Sequence, residues 1–143
     1  AITDEYGFYV DGLAGTNNYA FYSNSDTYKS RVGSLERYRE EINTLTSSST
    51  ITVDCSLAPV HKVTLASNTE FNISNLGTGQ SVTLIITQDS GGSNTATFGT
   101  DGSTAVKFAG GTPTLSTAGS AIDIVTIFND GTNFYGNIAK AYA

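Results

Sequence analysis

Apolar and polar side chains alternate through the run Ile51-Thr52-Val53-Asp54-Cys55-Ser56-Leu57. The same period of two returns in further short runs as far as residue 139, and Gly-containing breaks separate these runs. A strand that buries one face has this period, and strands spaced roughly 8–12 residues apart are typical of a sandwich. The sequence therefore predicts an all-β domain over residues 50–143, built as a β-sandwich or jelly roll.

A different period precedes this domain. Over residues 34–46 the apolar side chains recur at spacings of three and four, at Leu35, Tyr38, Ile42 and Leu45. This is the pattern of a coiled-coil seam. Because a helix of about three turns is not stable alone in water, we predict a short helical neck over residues 31–49 whose seam is buried between copies of the chain. The alternative is a single amphipathic helix that lies on the β domain.

Five of the eight tyrosines lie in residues 1–30, where Tyr6-Gly7-Phe8-Tyr9-Val10 is echoed by Tyr19-Ala20-Phe21-Tyr22-Ser23. Two aromatic strands joined by a Gly/Asn-rich turn predict a hairpin, or two rungs of a repeating β shaft. The chain begins with Ala1 and has no Met. We expect it to be the C-terminal part of a longer polypeptide, and the alternative is that the initiator methionine was removed.

The composition excludes several kinds of partner. The formal net charge is −6 and only 14% of the residues are charged. A nucleic-acid-binding surface needs a basic face, and an acidic chain is repelled by anionic membrane surfaces. No apolar run approaches the roughly 18 residues of a membrane span. We therefore expect neither nucleic acid nor membrane among the partners.

Catalytic and metal-binding patterns are weak. The chain has one His and one Cys, His61 and Cys55, too few for a zinc site within one copy, and Cys55 shares the inward phase of Ile51 and Val53. No nucleophile-elbow motif appears. A cation held by several of the aspartates is an alternative. We expect no catalytic residues, no cofactor and no bound metal.

Several motifs, in order along the chain, resemble one known kind of protein. They are Thr64-Leu65-Ala66-Ser67-Asn68-Thr69-Glu70-Phe71, Gly79-Gln80-Ser81-Val82-Thr83-Leu84-Ile85-Ile86-Thr87-Gln88-Asp89, Val106-Lys107-Phe108-Ala109-Gly110-Gly111-Thr112-Pro113-Thr114-Leu115, Ala121-Ile122-Asp123-Ile124-Val125-Thr126 and Asp130-Gly131-Thr132-Asn133-Phe134-Tyr135-Gly136. Over residues 50–140 they resemble a module of tail-fibre and other virion structural proteins of tailed phages, marine phages especially. The resemblance implies a homotrimeric protein of the virion exterior, and it supplies no catalytic residues.

Recognition is the remaining activity that the residues suggest. Polar side chains on rigid loops make adaptable contacts with a glycan or a protein. The candidates in the predicted loops are Ser90, Asn94, Asp101, Thr104, Thr112, Asn129, Asp130 and Asn133. For each of them the alternative is an ordinary turn residue.

The expected function is therefore that of a non-enzymatic virion protein. It would form part of a homotrimeric tail fibre, assemble with other virion proteins and contact a host-surface glycan or protein. One alternative is a capsid decoration or head-fibre protein. Another is a small polysaccharide-cleaving enzyme, although the carboxylates show no paired arrangement.

Overall fold

The structure, a computed structural model, describes residues 39–102 and 104–142 of the 143-residue chain. Within these residues every regular element is a strand and no helix is present. The strands are β1 (Ile42–Thr44), β2 (Thr50–Asp54), β3 (Val60–Leu65), β4 (Thr69–Ser74), β5 (Ser81–Gln88), β6 (Ala96–Thr100), β7 (Lys107–Phe108), β8 (Ile122–Asn129) and β9 (Phe134–Tyr142). The prediction of an all-β fold class is confirmed.

The strands form a six-stranded sheet in the order β1-β3-β5-β8-β9-β7 and a three-stranded sheet in the order β2-β4-β6. From β1 to β6, successive strands alternate between the two sheets, and each of the later ones pairs in parallel with the strand two steps before it. This arrangement is a coil that advances by about 20 residues a turn, a spacing found in stacked structural repeats. β8 and β9 then add an antiparallel hairpin to β5.

This connectivity differs from the jelly-roll alternative. A jelly roll is built from antiparallel strands, whereas five of the seven strand pairs in the described part of the chain are parallel. Parallel neighbours cannot be joined by a tight hairpin, so from β1 to β6 each connection between paired strands passes through the opposite sheet. The period of two did not reveal this, because it reports which side chains are buried and not which strands pair.

The inward side chains of both sheets form one buried cluster. In β5 the alternation places Val82, Leu84 and Ile86 inside, each at most 1% exposed. In the smaller sheet the Phe71 and Phe98 rings stack, with centroids 5.4 Å apart and an angle of 13° between the planes. The predicted core over the alternating runs is thus present and is shared by the two sheets.

The predicted neck helix is wrong over the part of it that the structure describes. Residues 39–41 have no regular structure, and Ile42–Thr44 form β1, which pairs in parallel with β3. The Leu45 amide continues this pairing by donating to the Lys62 carbonyl oxygen at 2.8 Å. A helix of this length gains little stability by itself, whereas the edge of β3 satisfies the same backbone groups.

The four seam residues consequently do not share one environment. Leu45 is partly buried and packs against the core of its own domain, while Ile42 is 54% exposed. Leu35 and Tyr38 lie outside the described residues, as does the Tyr-rich segment 1–30.

The described residues contain no helix that could span a membrane.

Candidate functional site

His61 has an internal structural role. It lies in β3 with no exposed surface, and its side chain points into the core. Its Nε2 lies 3.0 Å from the Ala58 carbonyl oxygen, which can only accept, so Nε2 carries the proton and Nδ1 accepts from Asn43 Nδ2 at 3.3 Å. Burial lowers the pKa of the imidazole, although the Ala58 carbonyl opposes this shift. The ring is therefore neutral, and both its nitrogens are engaged within the domain.

Cys55 is held as a protonated thiol. It follows β2, is partly buried and donates from Sγ to the Val53 carbonyl oxygen at 3.7 Å. Burial, with a smaller contribution from the neighbouring Asp54 carboxylate, raises the pKa of the thiol to about 11. Because the thiolate is the nucleophilic form of cysteine, this side chain is poorly reactive at neutral pH.

The buried and loop aspartates bind the backbone. The Asp123 carboxylate, 2% exposed, accepts from the Ser116 amide and hydroxyl, each at 2.6 Å, and from the Ala141 amide at 2.9 Å. Asp89 Oδ1 accepts from the amides of Gly91 and Gly92 at 3.1 and 2.8 Å. Among residues 39–102 and 104–142, no group of three or more His, Cys, Asp or Glu side chains could hold a metal ion.

The two ends of the domain carry the predicted recognition loops. We call upper the end at which β3 and β5 finish and β8 begins, and lower the end at which β5 begins and β8 finishes. Loops 89–95 and 117–121 lie together at the upper end, where the Ser93 amide donates to the Thr117 carbonyl oxygen. Loops 75–80 and 130–133 lie together at the lower end, where the Gly79 amide donates to the Asn129 carbonyl oxygen.

Two of the predicted recognition residues at the lower end serve the turn between β8 and β9. Asn129 is 8% exposed; its Nδ2 donates to the Leu76 carbonyl oxygen at 2.7 Å, and its Oδ1 accepts from the Gly131 amide at 2.8 Å. Asp130 Oδ1 accepts from the amides of Asn133 and Thr132, which hold the pKa of this exposed carboxyl below its usual value. Both side chains therefore stabilise the turn in which they lie.

Asn133 belongs to the same turn and contacts a neighbouring strand. Its Oδ1 accepts from Lys107 Nζ at 2.6 Å, which joins the turn to β7 at the exposed surface. At the upper end, Asn94 is partly buried, its amide donates to Gln88 Oε1 at 3.0 Å, and its carbonyl oxygen accepts from Gln88 Nε2 at 2.8 Å. Ser90 is exposed in the same loop.

Asp101 and Thr104 flank the turn that follows β6, and both are exposed. Asp101 contributes to an open cavity of about 280 Å³ on the outer side of the smaller sheet, together with Glu70 and Asn72. Asn72 Oδ1 is buried beside this cavity, and it has no hydrogen-bond partner among the described residues. The Thr104 amide and carbonyl pair with Thr100, so this residue is also part of a closed turn.

Thr112 lies in a groove between the loop after β7 and the last strand. We call this the β9 groove; it has a volume of about 300 Å³ and is lined by residues 108–114, 136–138 and 140. Thr112 and Pro113 also line an adjoining cavity of about 210 Å³. Of the eight predicted recognition residues, Thr112 alone contributes to the β9 groove.

The floor of the β9 groove depends on the absence of a side chain at Gly136. A Cβ atom there would lie 2.3 Å from Phe108 Cε1, so only glycine lets this ring lie against β9. The Phe108 ring in turn packs on Phe98, with centroids 5.3 Å apart. Lys140 Nζ donates to the Thr114 carbonyl oxygen at 2.9 Å and ties the loop to β9. The groove therefore combines one aromatic wall with hydroxyl, amide and backbone groups.

Sequence patterns pointed to the loop of this groove but missed its other wall. The Gly110-Gly111-Thr112-Pro113 turn is recognisable as a break in the alternation. Lys140 and Gly136 belong to an ordinary strand pattern, and nothing in it indicates that they face this loop.

Comparison of the chain with protein-family models, with curated protein sequences and with solved structures found no match.

Proposed function

We propose that this chain is part of a homotrimeric tail fibre of a tailed phage, with a structural, non-enzymatic role on the virion exterior. The proposal rests on the ordered motifs between residues 64 and 136 and on one feature of the fold. That feature is the coil from β1 to β6, in which strands stack in parallel register through two sheets. Stacked units of this kind build elongated proteins, since each unit covers the next.

The chemistry of the titratable core residues supports a structural role. The imidazole of His61 is neutral and bonded on both sides, and burial raises the pKa of the Cys55 thiol to about 11. The Asp123 carboxylate accepts three hydrogen bonds that join β8, β9 and the segment before β8. Each of these side chains is therefore engaged in contacts within the domain, as expected of residues that stabilise the fold.

We place the proposed host contact in the β9 groove. Ligand sites are concave and combine an apolar wall with a few polar groups that fix orientation. The Phe108 ring and the polar loop residues Thr112 and Thr114 supply this combination, and the lining contains no carboxylate. The groove volume of about 300 Å³ lies at the lower end of the range for ligand pockets, and three weak sites on one fibre would reinforce one another.

Locating the protein in the particle tests the proposed role. Gold-labelled antibodies against the chain should decorate a tail appendage of the virions that contain it. A label on the capsid would instead support a decoration or head-fibre protein, and no label on intact virions would refute an exterior position. Incubation with purified host polysaccharide addresses the enzymatic alternative, because the proposal requires that no new reducing ends are released.

Blocking the β9 groove tests the host contact. Thr112 is exposed at the groove, and Thr112→Arg should reduce binding of the full chain to host cells at least about tenfold by filling the space. Thr46 is also exposed but lies in the segment before β2, so Thr46→Arg is the control for the added charge. Equal binding by the two variants would contradict a site in this groove.

A further inference from the structure

Apart from Val60, which is 8% exposed, one face of the six-stranded sheet is exposed or only partly buried in the described part of the chain. We call it the outer sheet face: the side chains of this sheet that point away from the core. The cross-strand register defines it, because Ile42, Val60, Thr83, Thr126 and Asn137 lie side by side in one row across five strands. Neighbouring residues in such a row share a face of the sheet.

Exposed apolar side chains are concentrated on this face. Five large hydrophobic side chains are exposed among the described residues, and four of them belong to it. These four are Ile42, Phe128, Tyr135 and Tyr142, with exposed fractions of 54, 40, 45 and 49%. Scattered exposed apolar residues are ordinary, but a shared face is typical of an interaction surface.

The charge of this face differs from that of the chain. Its outward positions include two lysines, Lys62 and Lys107, and no carboxylate. Both lysines lie toward the sides of the sheet, and β5, β8 and β9 present no charge between them. Since the whole chain carries −6, copies that approach through this face bring fewer like charges together than copies that approach through the loops.

The area of the face is close to what a stable contact needs. About 18 outward positions, each occupying roughly 33 Å² of a flat sheet, cover about 600 Å². A typical specific interface buries about 800 Å² on each partner. Because side chains project from the sheet, their accessible area exceeds the flat area, and the face alone supplies most of this requirement.

We propose that the outer sheet face is the surface through which three copies of this chain associate, each turning the face toward a common three-fold axis. This inference rests on the proposed homotrimeric fibre and names its contact surface. It also changes the role of the predicted seam. Ile42 remains an interface residue, but as part of a sheet face, whereas Leu45 contributes to the core of its own domain.

Charge placed at the centre of the face tests this proposal on the full chain. Thr126 is exposed in β8 between Thr83 and Asn137. Thr126→Lys would bury an unpaired ammonium group in the trimer, and the concentration at which the trimer dissociates should rise about 100-fold or more. The control is Thr52→Lys, because Thr52 is also an exposed strand residue but belongs to the smaller sheet.

Multi-angle light scattering over a range of concentrations, with thermal unfolding of each variant, gives the result. The parent and Thr52→Lys should have three times the chain mass where Thr126→Lys is a folded monomer. Tyr135→Lys, on the same face, should repeat the effect and guards against a folding defect at position 126. A trimer in both face variants would refute this surface and leave the labelling test of the fibre proposal intact. A parent monomer at every concentration would refute the association itself, and would indicate that the face is covered within one chain.

Discussion

Replacing Asn129 by alanine should destabilise the domain without touching a recognition surface. The substitution removes the hydrogen bond from Nδ2 to the Leu76 carbonyl oxygen and the one that Oδ1 accepts from the Gly131 amide, at 2.7 and 2.8 Å. Loss of the bond with the Gly131 amide costs about 1 kcal/mol net, and the buried Leu76 carbonyl left without a donor costs about 1–3 kcal/mol. Together these effects should lower the free energy of unfolding by about 2–4 kcal/mol.

Urea unfolding followed by far-ultraviolet circular dichroism measures this loss. A domain of this size has a total stability of about 5–15 kcal/mol, so the variant should still fold. Protein concentration must be the same for all samples, because association adds to apparent stability. Asn133→Ala is the matched control: it removes one exposed contact with Lys107, which should cost less than about 1 kcal/mol. The reasoning fails if Asn129→Ala is as stable as the parent, or if the two variants lose equal stability.

Two further predictions concern the buried titratable residues. The free energy of unfolding should fall as the pH drops below about 6.5, because the unfolded chain then binds a proton that the buried His61 ring resists. In urea titrations at about pH 7 and pH 5.5, His61→Gln should show a smaller difference in this free energy than the parent. An unchanged difference would show that another group is responsible. Cys55 in the folded chain should react with iodoacetamide about 100-fold more slowly than glutathione at about pH 8, because the pKa of its thiol is raised to about 11. Unfolding in urea should abolish this difference. Equal rates for the folded chain and glutathione would contradict the burial of the thiol.

Several of the predicted recognition residues bind backbone groups of the domain, and these contacts have a common physical cause. Asn and Asp are frequent in turns because their side chains bind nearby backbone groups. Asn129 and Asp130 do this for the turn between β8 and β9, and at the upper end Asn94 Nδ2 donates to the Leu65 carbonyl oxygen at 3.3 Å. A polar loop residue therefore predicts a loop more strongly than it predicts a contact. Thr112 differs because it is exposed and lines the β9 groove.

In the predicted neck, the spacing pattern is present in the sequence, but contacts with a distant strand decide which structure the segment forms. The spacing of three between Ile42 and Leu45 fits a helical seam, yet it also fits an extended segment that leaves Ile42 outside and Leu45 against the core. The edge of β3 decided between them, because it offers unpaired backbone groups at the matching register. Sequence periodicity contains no information on the position of that edge.

The amino-acid sequence by itself determined the all-β class and the buried positions of the long strands, because burial of one face imposes a period of two on the side chains. Only the tertiary structure decided that β1 to β6 coil in parallel through two sheets, that residues 42–44 form a strand, and which loop faces β9. Those features depend on contacts between segments far apart in the chain. The stability of each contact depends on which segments the folded chain brings together.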